Sequence, residues 1–210
     1  MTIKKWSNLF AIIILSLFLF TAKVVLAAGG ISWSQITVPD YYEKPSVASD
    51  DDGSVLVYCL GDSSGDVYVS TNSGSSWTKR QPGGTTEAWG RIKMDDDGTN
   101  MIVASGGIYA TGKLYTSADT GATWTERQPA GASAQKWSAV ASDDDGSFLV
   151  ATVYSGRLYT STDSGANWTE RQPAGDSNIN WYSVASDADG SNLIAVNDTK
   201  TVYLSTDSGV

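Results

Sequence analysis

The chain has 210 residues, with 23 acidic side chains against 14 basic, a formal net charge of −9, no histidine and one cysteine. Without histidine there is no Ser-His-Asp or Cys-His catalysis and no His-ligated metal; Cys59 alone permits neither an intrachain disulfide nor a thiolate zinc cluster. A chain this acidic does not suit nucleic acid, whose phosphates demand clustered Lys and Arg.

At the N-terminus Lys4 and Lys5 precede the apolar run Leu9–Phe20, and Val25-Leu26-Ala27 offers a cleavage site. This order of charged, apolar and small residues predicts an export signal over residues 1–27. Lys23 interrupts the run before the ~20 apolar residues that span a bilayer. The expected mature chain, 28–210, is therefore secreted (extracellular or periplasmic) with no stable membrane span after signal cleavage. Asn167-Trp168-Thr169 and Asn197-Asp198-Thr199 match glycosylation acceptors.

From residue 47 onward the chain repeats itself. Val47-Ala-Ser-Asp-Asp-Asp-Gly53 recurs as Ile92-Lys-Met-Asp-Asp-Asp-Gly98, Val140-Ala-Ser-Asp-Asp-Asp-Gly146 and Val184-Ala-Ser-Asp-Ala-Asp-Gly190. A second motif keeps the same beat: Ser70-Thr-Asn-Ser-Gly-Ser-Ser-Trp77, Ser117-Ala-Asp-Thr-Gly-Ala-Thr-Trp124, Ser161-Thr-Asp-Ser-Gly-Ala-Asn-Trp168 and the shorter Ser205-Thr-Asp-Ser-Gly209. The intervals are 47, 44 and 44 residues, the period of a propeller or a solenoid.

One unit shows what the repeat builds. Trp137–Ser142 reads as a strand and Asp143–Gly146 as a turn, with strands expected over Ser147–Val153, Arg157–Ser161 and Trp168–Arg171. Phe148-Leu149-Val150 is apolar without alternation, the mark of a strand buried on both faces. The predicted fold is all-β: a β-propeller of four-stranded antiparallel blades, about four in this chain, closing by themselves or forming part of a larger ring. Ile31-Ser32-Trp33 is expected to supply the outermost strand of the blade whose third strand ends at Ser205, because Trp33 stands before Asp50 much as Trp168 stands before Asp187.

The Ser-x-Asp-x-Gly-x-x-Trp pattern resembles the Asp-box (BNR) repeat proteins, which include sialidases, sortilin-like receptors, some xyloglucanases and photosystem II assembly factors. In that family the box is a structural hairpin between the third and outermost strands of a blade. The resemblance gives a scaffolding role to Asn72, Gly74 and Trp77, to Asp119, Gly121 and Trp124, to Asp163, Gly165 and Trp168, and to Asp207 and Gly209. The aspartates are expected to accept backbone N–H groups two residues on, the glycines to take positive φ, and the tryptophans to lie under the turn.

A sialidase-like site needs three arginines on one carboxylate and an Arg-Ile-Pro motif, which is missing. Arg80, Arg127 and Arg171 are repeat-equivalent and point to separate blades, so only Arg91 and Arg157 remain. The carboxylates fall mostly in the repeated turns, and Glu43 and Glu87 lack an evident partner. No catalytic residues, metal site or cofactor are expected. The reading is a secreted, non-catalytic module that binds a protein or a carbohydrate; the alternative is the N-terminal part of a larger glycoside hydrolase with its catalytic residues beyond residue 210.

Repeated turns occupy one face of such blades and irregular loops the other, where binding residues usually lie. Trp89, Trp137 and Trp181 open three of the inner strands beside this second face, with Lys44 in the corresponding slot of the first unit. These four and Arg91 form the expected ligand set; the competing reading of the rings is packing between blades.

Overall fold

The computed structural model describes residues 45–61, 65–84 and 87–210, together with the backbone of two strands nearer the N-terminus. Those strands, β1 (Lys23–Leu26) and β2 (Ser32–Gln35), form an antiparallel pair with Trp33 opposite Val25. They belong to a unit, residues 1–40, separate from the compact unit 41–210. Ser32 and Trp33 of the expected outer strand Ile31-Ser32-Trp33 fall in β2, and Ile31 lies outside the described residues.

The second unit is an all-β propeller arc. The first blade comprises β3 (Ser46–Ser49), β4 (Leu56–Cys59), β5 (Val67–Ser70) and β6 (Thr78–Arg80), antiparallel in sequence order. The second comprises β7 (Trp89–Met94), β8 (Met101–Ser105), β9 (Leu114–Ser117) and β10 (Thr125–Arg127). The third is β11 (Trp137–Ser142), β12 (Leu149–Gly156), β13 (Leu158–Ser161) and β14 (Thr169–Arg171). The fourth has β15 (Ile179–Ser186), β16 (Leu193–Asn197) and β17 (Val202–Ser205). Among the described residues no strand pairs with the outer edge of β17.

The unalternating second strands are apolar because both their faces are covered. Met101 and Val103 of β8 turn toward the first blade, packing with Val57, Val69 and Trp89. Ile102 and Ala104 on the opposite face pack with Trp137, Val140 and Leu149 of the third blade. The third and fourth blades are joined the same way, through Val150, Leu158, Trp181 and Leu193. Burial of large apolar side chains between sheets, worth about 1.5–3 kcal/mol for each, holds the blades side by side.

The Asp-Asp-Asp-Gly turns add three further devices. The first carboxylate of each turn accepts the N–H five residues on: Val55 on Asp50 (2.9 Å), Asn100 on Asp95 (3.0 Å), Phe148 on Asp143 (3.0 Å) and Asn192 on Asp187 (3.0 Å). The third accepts the N–H two on, as Ser54 donates to Asp52 and Ser147 to Asp145, both at 2.8 Å. The middle residue works through its backbone: Asp51 N–H donates to the Asp96 carbonyl, Asp96 to Asp144 and Asp144 to Ala188, at 2.9, 2.9 and 3.0 Å. One main-chain bond thus links each blade to the next. The turn glycine is required twice over. Gly190 has φ +73°, and a Cβ there would lie 2.5 Å from Cγ of Phe148 in the neighbouring blade.

Candidate functional site

In the boxes the serine hydroxyl is the hub. Ser117 Oγ donates to Asp119 Oδ1 (2.8 Å) and accepts the Gly121 N–H (2.9 Å), while Asp119 Oδ1 accepts the Thr123 N–H at 2.7 Å. Ser161, Asp163, Gly165 and Asn167 repeat the arrangement. The donor to the aspartate is therefore four residues on, not two. Asn72 serves equally, since its carbonyl oxygen accepts the Ser76 N–H at 2.8 Å. Two consecutive residues take positive φ, such as Thr120 (55°) and Gly121 (73°). The partly buried indoles of Trp124 and Trp168 donate to the carbonyls of Gly121 (3.0 Å) and Gly165 (2.9 Å). Hydrogen bonds from Thr123 and from Asn167 hold the carboxyls of Asp119 and Asp163 below the usual range. These aspartates are fully occupied in holding turns, and among the described residues no group of three or more acidic or cysteine side chains could hold a metal ion.

The arginines divide as their repeat positions imply. Arg127 Nε donates to Thr116 Oγ1 and Arg171 Nε to Thr160 Oγ1, each at 2.8 Å and each within its own blade. In the first blade Val69 stands in the threonine's place, and Arg80 Nε is buried with no hydrogen-bond partner among the described residues. Arg157 binds Asp176 (2.5 Å) and the carbonyls of Gly175 and Ser177. Ser105 donates to the Glu87 carboxylate. Cys59 is a buried member of the first interblade core, and burial pushes its thiol up to about 12, which leaves it unreactive.

The expected ligand set requires correction. Trp89, Trp137 and Trp181 are 0, 3 and 1% exposed. Each packs edge-to-face on the tyrosine of its own blade's third strand: Trp89 on Tyr115 (5.6 Å), Trp137 on Tyr159 (6.1 Å) and Trp181 on Tyr203 (5.1 Å). They are interblade core, held in it by one physical cause. A β-bulge follows each ring, after Trp89, Trp137 and Trp181, and re-aims the strand. Arg91 is clipped to the carbonyls of Ser138 (2.5 Å) and Gly90 (2.6 Å), joining the second blade to the third, and burial lowers its pKa. Lys44 lies outside the described residues.

The bulge position itself is where the loop face gains a surface ring. It holds Gly90 in the second blade and the buried Ser138 in the third, but Tyr182 in the fourth, 46% exposed. Tyr182 packs edge-to-face with Tyr154 at 5.8 Å. Tyr109, 81% exposed, projects from the loop that follows Gly106, whose φ of +80° and close approach to the Ala110 carbonyl exclude a side chain. Burial, then the neighbouring Tyr182, Asp198 and Tyr109, raise the Tyr154 phenol pKa, so these groups share one patch.

That patch stands on stitched backbone. The expected turn Tyr154–Gly156 is instead the end of the eight-residue β12, and it pairs with β15 of the next blade, Tyr154 opposite Asn180. Ser155 Oγ donates to Asn180 Oδ1 (2.6 Å), and Asn180 Nδ2 to Asp198 (2.7 Å). Gly112 and Gln135 exchange both backbone hydrogen bonds across the second and third blades, at 2.8 and 2.9 Å. Beside Tyr154 an open groove of about 530 Å³ is lined by Gln135, Lys136, Ser155 and Asn178. Of the two glycosylation acceptors, Asn167 is exposed while Asn197 is buried, its carbonyl accepting from Thr199 and Thr201.

No curated protein matches the chain. Among solved structures it is similar to the GH74 xyloglucanase from Xanthomonas campestris, with 19% identity and a TM-score of 0.61 over 77% of this chain and 28% of that one. It is also similar to a chain of the nidogen/laminin complex (15% identity, TM-score 0.60, 84% of this chain and 64% of that). A third similarity is to YCF48 from Cyanidioschyzon merolae (18%, TM-score 0.57, 86% and 62%). The chain thus spans less than two thirds of each of these structures, and at such identities the likeness is one of fold. The sequence match to a domain family runs over residues 43–175, well over half the chain and three complete blades, so the chain belongs to the DUF6242 β-propeller domain family.

Proposed function

We propose that the protein is a secreted, non-catalytic propeller module that binds a protein or a glycan through its loop face, and that its blades are Asp-box (BNR) repeats. The observation that carries the binding reading is the patch of Tyr109, on its loop, with Tyr154 of β12 and Tyr182 of β15. Exposed aromatic rings with amides and hydroxyls beside them suit apolar faces edged by polar groups, whether on a sugar or on a protein. The serine-centred turns at Ser117 and Ser161 support the Asp-box reading. A similar propeller fold occurs in the nidogen/laminin complex, which fits protein recognition. The test is a glycan array and a pull-down from secreted protein. The expected ligand loses at least tenfold in affinity on Tyr109→Ala with Tyr182→Ala and is unaffected by Asp96→Asn on the other face. A ligand that ignores the tyrosine pair overturns the reading.

A second reading has one observation in its favour: the xyloglucanase fold likeness covers only 28% of that enzyme's chain. The protein would then be part of a longer glycoside hydrolase. Reducing-sugar release from xyloglucan by the complete gene product decides for that reading, and its absence alongside binding decides against it.

A further inference from the structure

We propose that the groove beside Tyr154 is a binding subsite for a neutral oligosaccharide. The inference rests on the reading of the loop face as a binding surface and names the class of ligand. The blades that form the groove, the second and third, each have all four strands, and Asn178 leads into β15 of the fourth. Its shape is therefore a property of the interior of the arc.

Unequal connections at equivalent positions make this space. The Ser105 N–H donates to the Lys113 carbonyl (2.9 Å) and the Val153 N–H to the Arg157 carbonyl (3.0 Å). These bonds close the connection over residues 106–112 in the second blade but over only 154–156 in the third. The longer connection folds tightly on itself: a Cβ on Gly106 would lie 2.6 Å from the Ala110 carbonyl oxygen and 2.7 Å from the Gly112 nitrogen. The shorter one turns at Ser155, φ 57°, and leaves room beside it. The buried Val153 and Tyr159 line a groove of about 530 Å³, within the range of small-ligand sites. Its walls come from two stretches of the sequence, Gln135 and Lys136 at the entry to β11, and Arg157 with Glu170 around β13 and β14.

Charge and lining select the ligand. Arg157 is engaged by Asp176 (2.5 Å) and lies 3.6 Å from Glu170, while Lys136 forms no ion pair among the described residues. Two cations against two carboxylates leave the groove without net charge, and a chain at −9 repels an anion from a distance. The amides of Gln135 and Asn178, the hydroxyls of Thr111 and Ser155 and the Lys136 ammonium supply donors and acceptors for sugar hydroxyls. The half-buried ring of Tyr154 supplies an apolar surface for the C–H face of a pyranose. A protein hot spot calls for the reverse, an apolar pocket depleted of charge.

The probes are cellohexaose, mannohexaose and maltohexaose, titrated into the full chain and followed by amide NMR shifts. Saturable binding of at least one, with a Kd of about 0.1–1 mM and shifts centred on residues 135–136, 154–157 and 178, supports the proposal. That affinity should change less than about twofold between roughly 50 and 500 mM salt, because a neutral ligand has no charge to screen. It should fall at least tenfold on Lys136→Ala with Asn178→Ala; circular dichroism checks that this variant folds. No shift at these amides from any probe at about 10 mM overturns the proposal. So does binding that salt abolishes, which would give the groove to a charged ligand. A protein partner that is lost on Tyr109→Ala with Tyr182→Ala but ignores the Lys136 and Asn178 changes overturns this inference alone and leaves the loop-face reading standing.

Discussion

The two faces of the blades are built on opposite rules. On the turn face the units follow one plan: a carboxylate locks each turn, Gly98, Gly146 and Gly190 admit the neighbouring blade, and main-chain bonds from Asp51, Asp96 and Asp144 cross to the next unit. On the loop face the same strand positions carry Gly90, Ser138 and Tyr182, and Tyr109 and Tyr154 stand out with no counterpart at the other blades. Repetition marks the part of the structure that holds the fold. The irregular residues, freed from that duty, are the ones available for recognition.

The sharpest break in the comparison lies between adjacent residues. Trp181→Ala empties a core seat and should cost about 3–5 kcal/mol in denaturant unfolding, whereas Tyr182→Ala should cost about 1 kcal/mol or less; equal losses would dissolve the distinction between core ring and surface ring. On the turn face Gly190→Ala should destabilise by about 2–3 kcal/mol, since the new Cβ must displace Phe148 at a positive φ. Ser161→Ala removes the hub of a box and should cost about 1–2 kcal/mol by thermal melting. Tyr109→Ala should leave stability within about 0.5 kcal/mol.

The smallest effect concerns pH. The carboxyls of Asp119 and Asp163 are lowered by hydrogen bonds from Thr123 and Asn167, so the stability they contribute is present above the unfolded value of about 4 and is lost as pH falls through the folded one. Asp143, raised by burial, works in the opposite sense and is relieved by acid. Asp119→Asn with Asp163→Asn should therefore be nearly silent at neutral pH, as Asn72 already shows a carbonyl can do, and should flatten the fall in melting temperature from about pH 5 to pH 2. An unchanged acid slope would show that these two turns do not carry it.

The strand plan was open to reading because its signals are local. Trp137–Ser142 matches β11 residue for residue, since the turn Asp143–Gly146 and the doubly apolar run after it leave little choice. The site was harder. A tryptophan at a strand entry looks the same whether it faces a channel or a neighbouring blade, and only the bulge after Trp181 decides that the indole turns in and Tyr182 out. Nor does local pattern reveal that Tyr154–Gly156 extends β12 to pair with the next blade, because the partner, Asn180, comes from another unit. One clue was present. Ala188 replaces the middle aspartate of the fourth turn, consistent with a position that serves through its backbone rather than its carboxylate.

That backbone link makes the unit a cassette. The middle residues of the first three turns, Asp51, Asp96 and Asp144, give their N–H forward, and the carbonyls of Asp96, Asp144 and Ala188 accept from behind. A 44-residue unit copied in frame between two of them would find a donor on one side and an acceptor on the other, whatever side chain it brought to that position. Lengthening or shortening the arc by whole units then leaves this main-chain link intact.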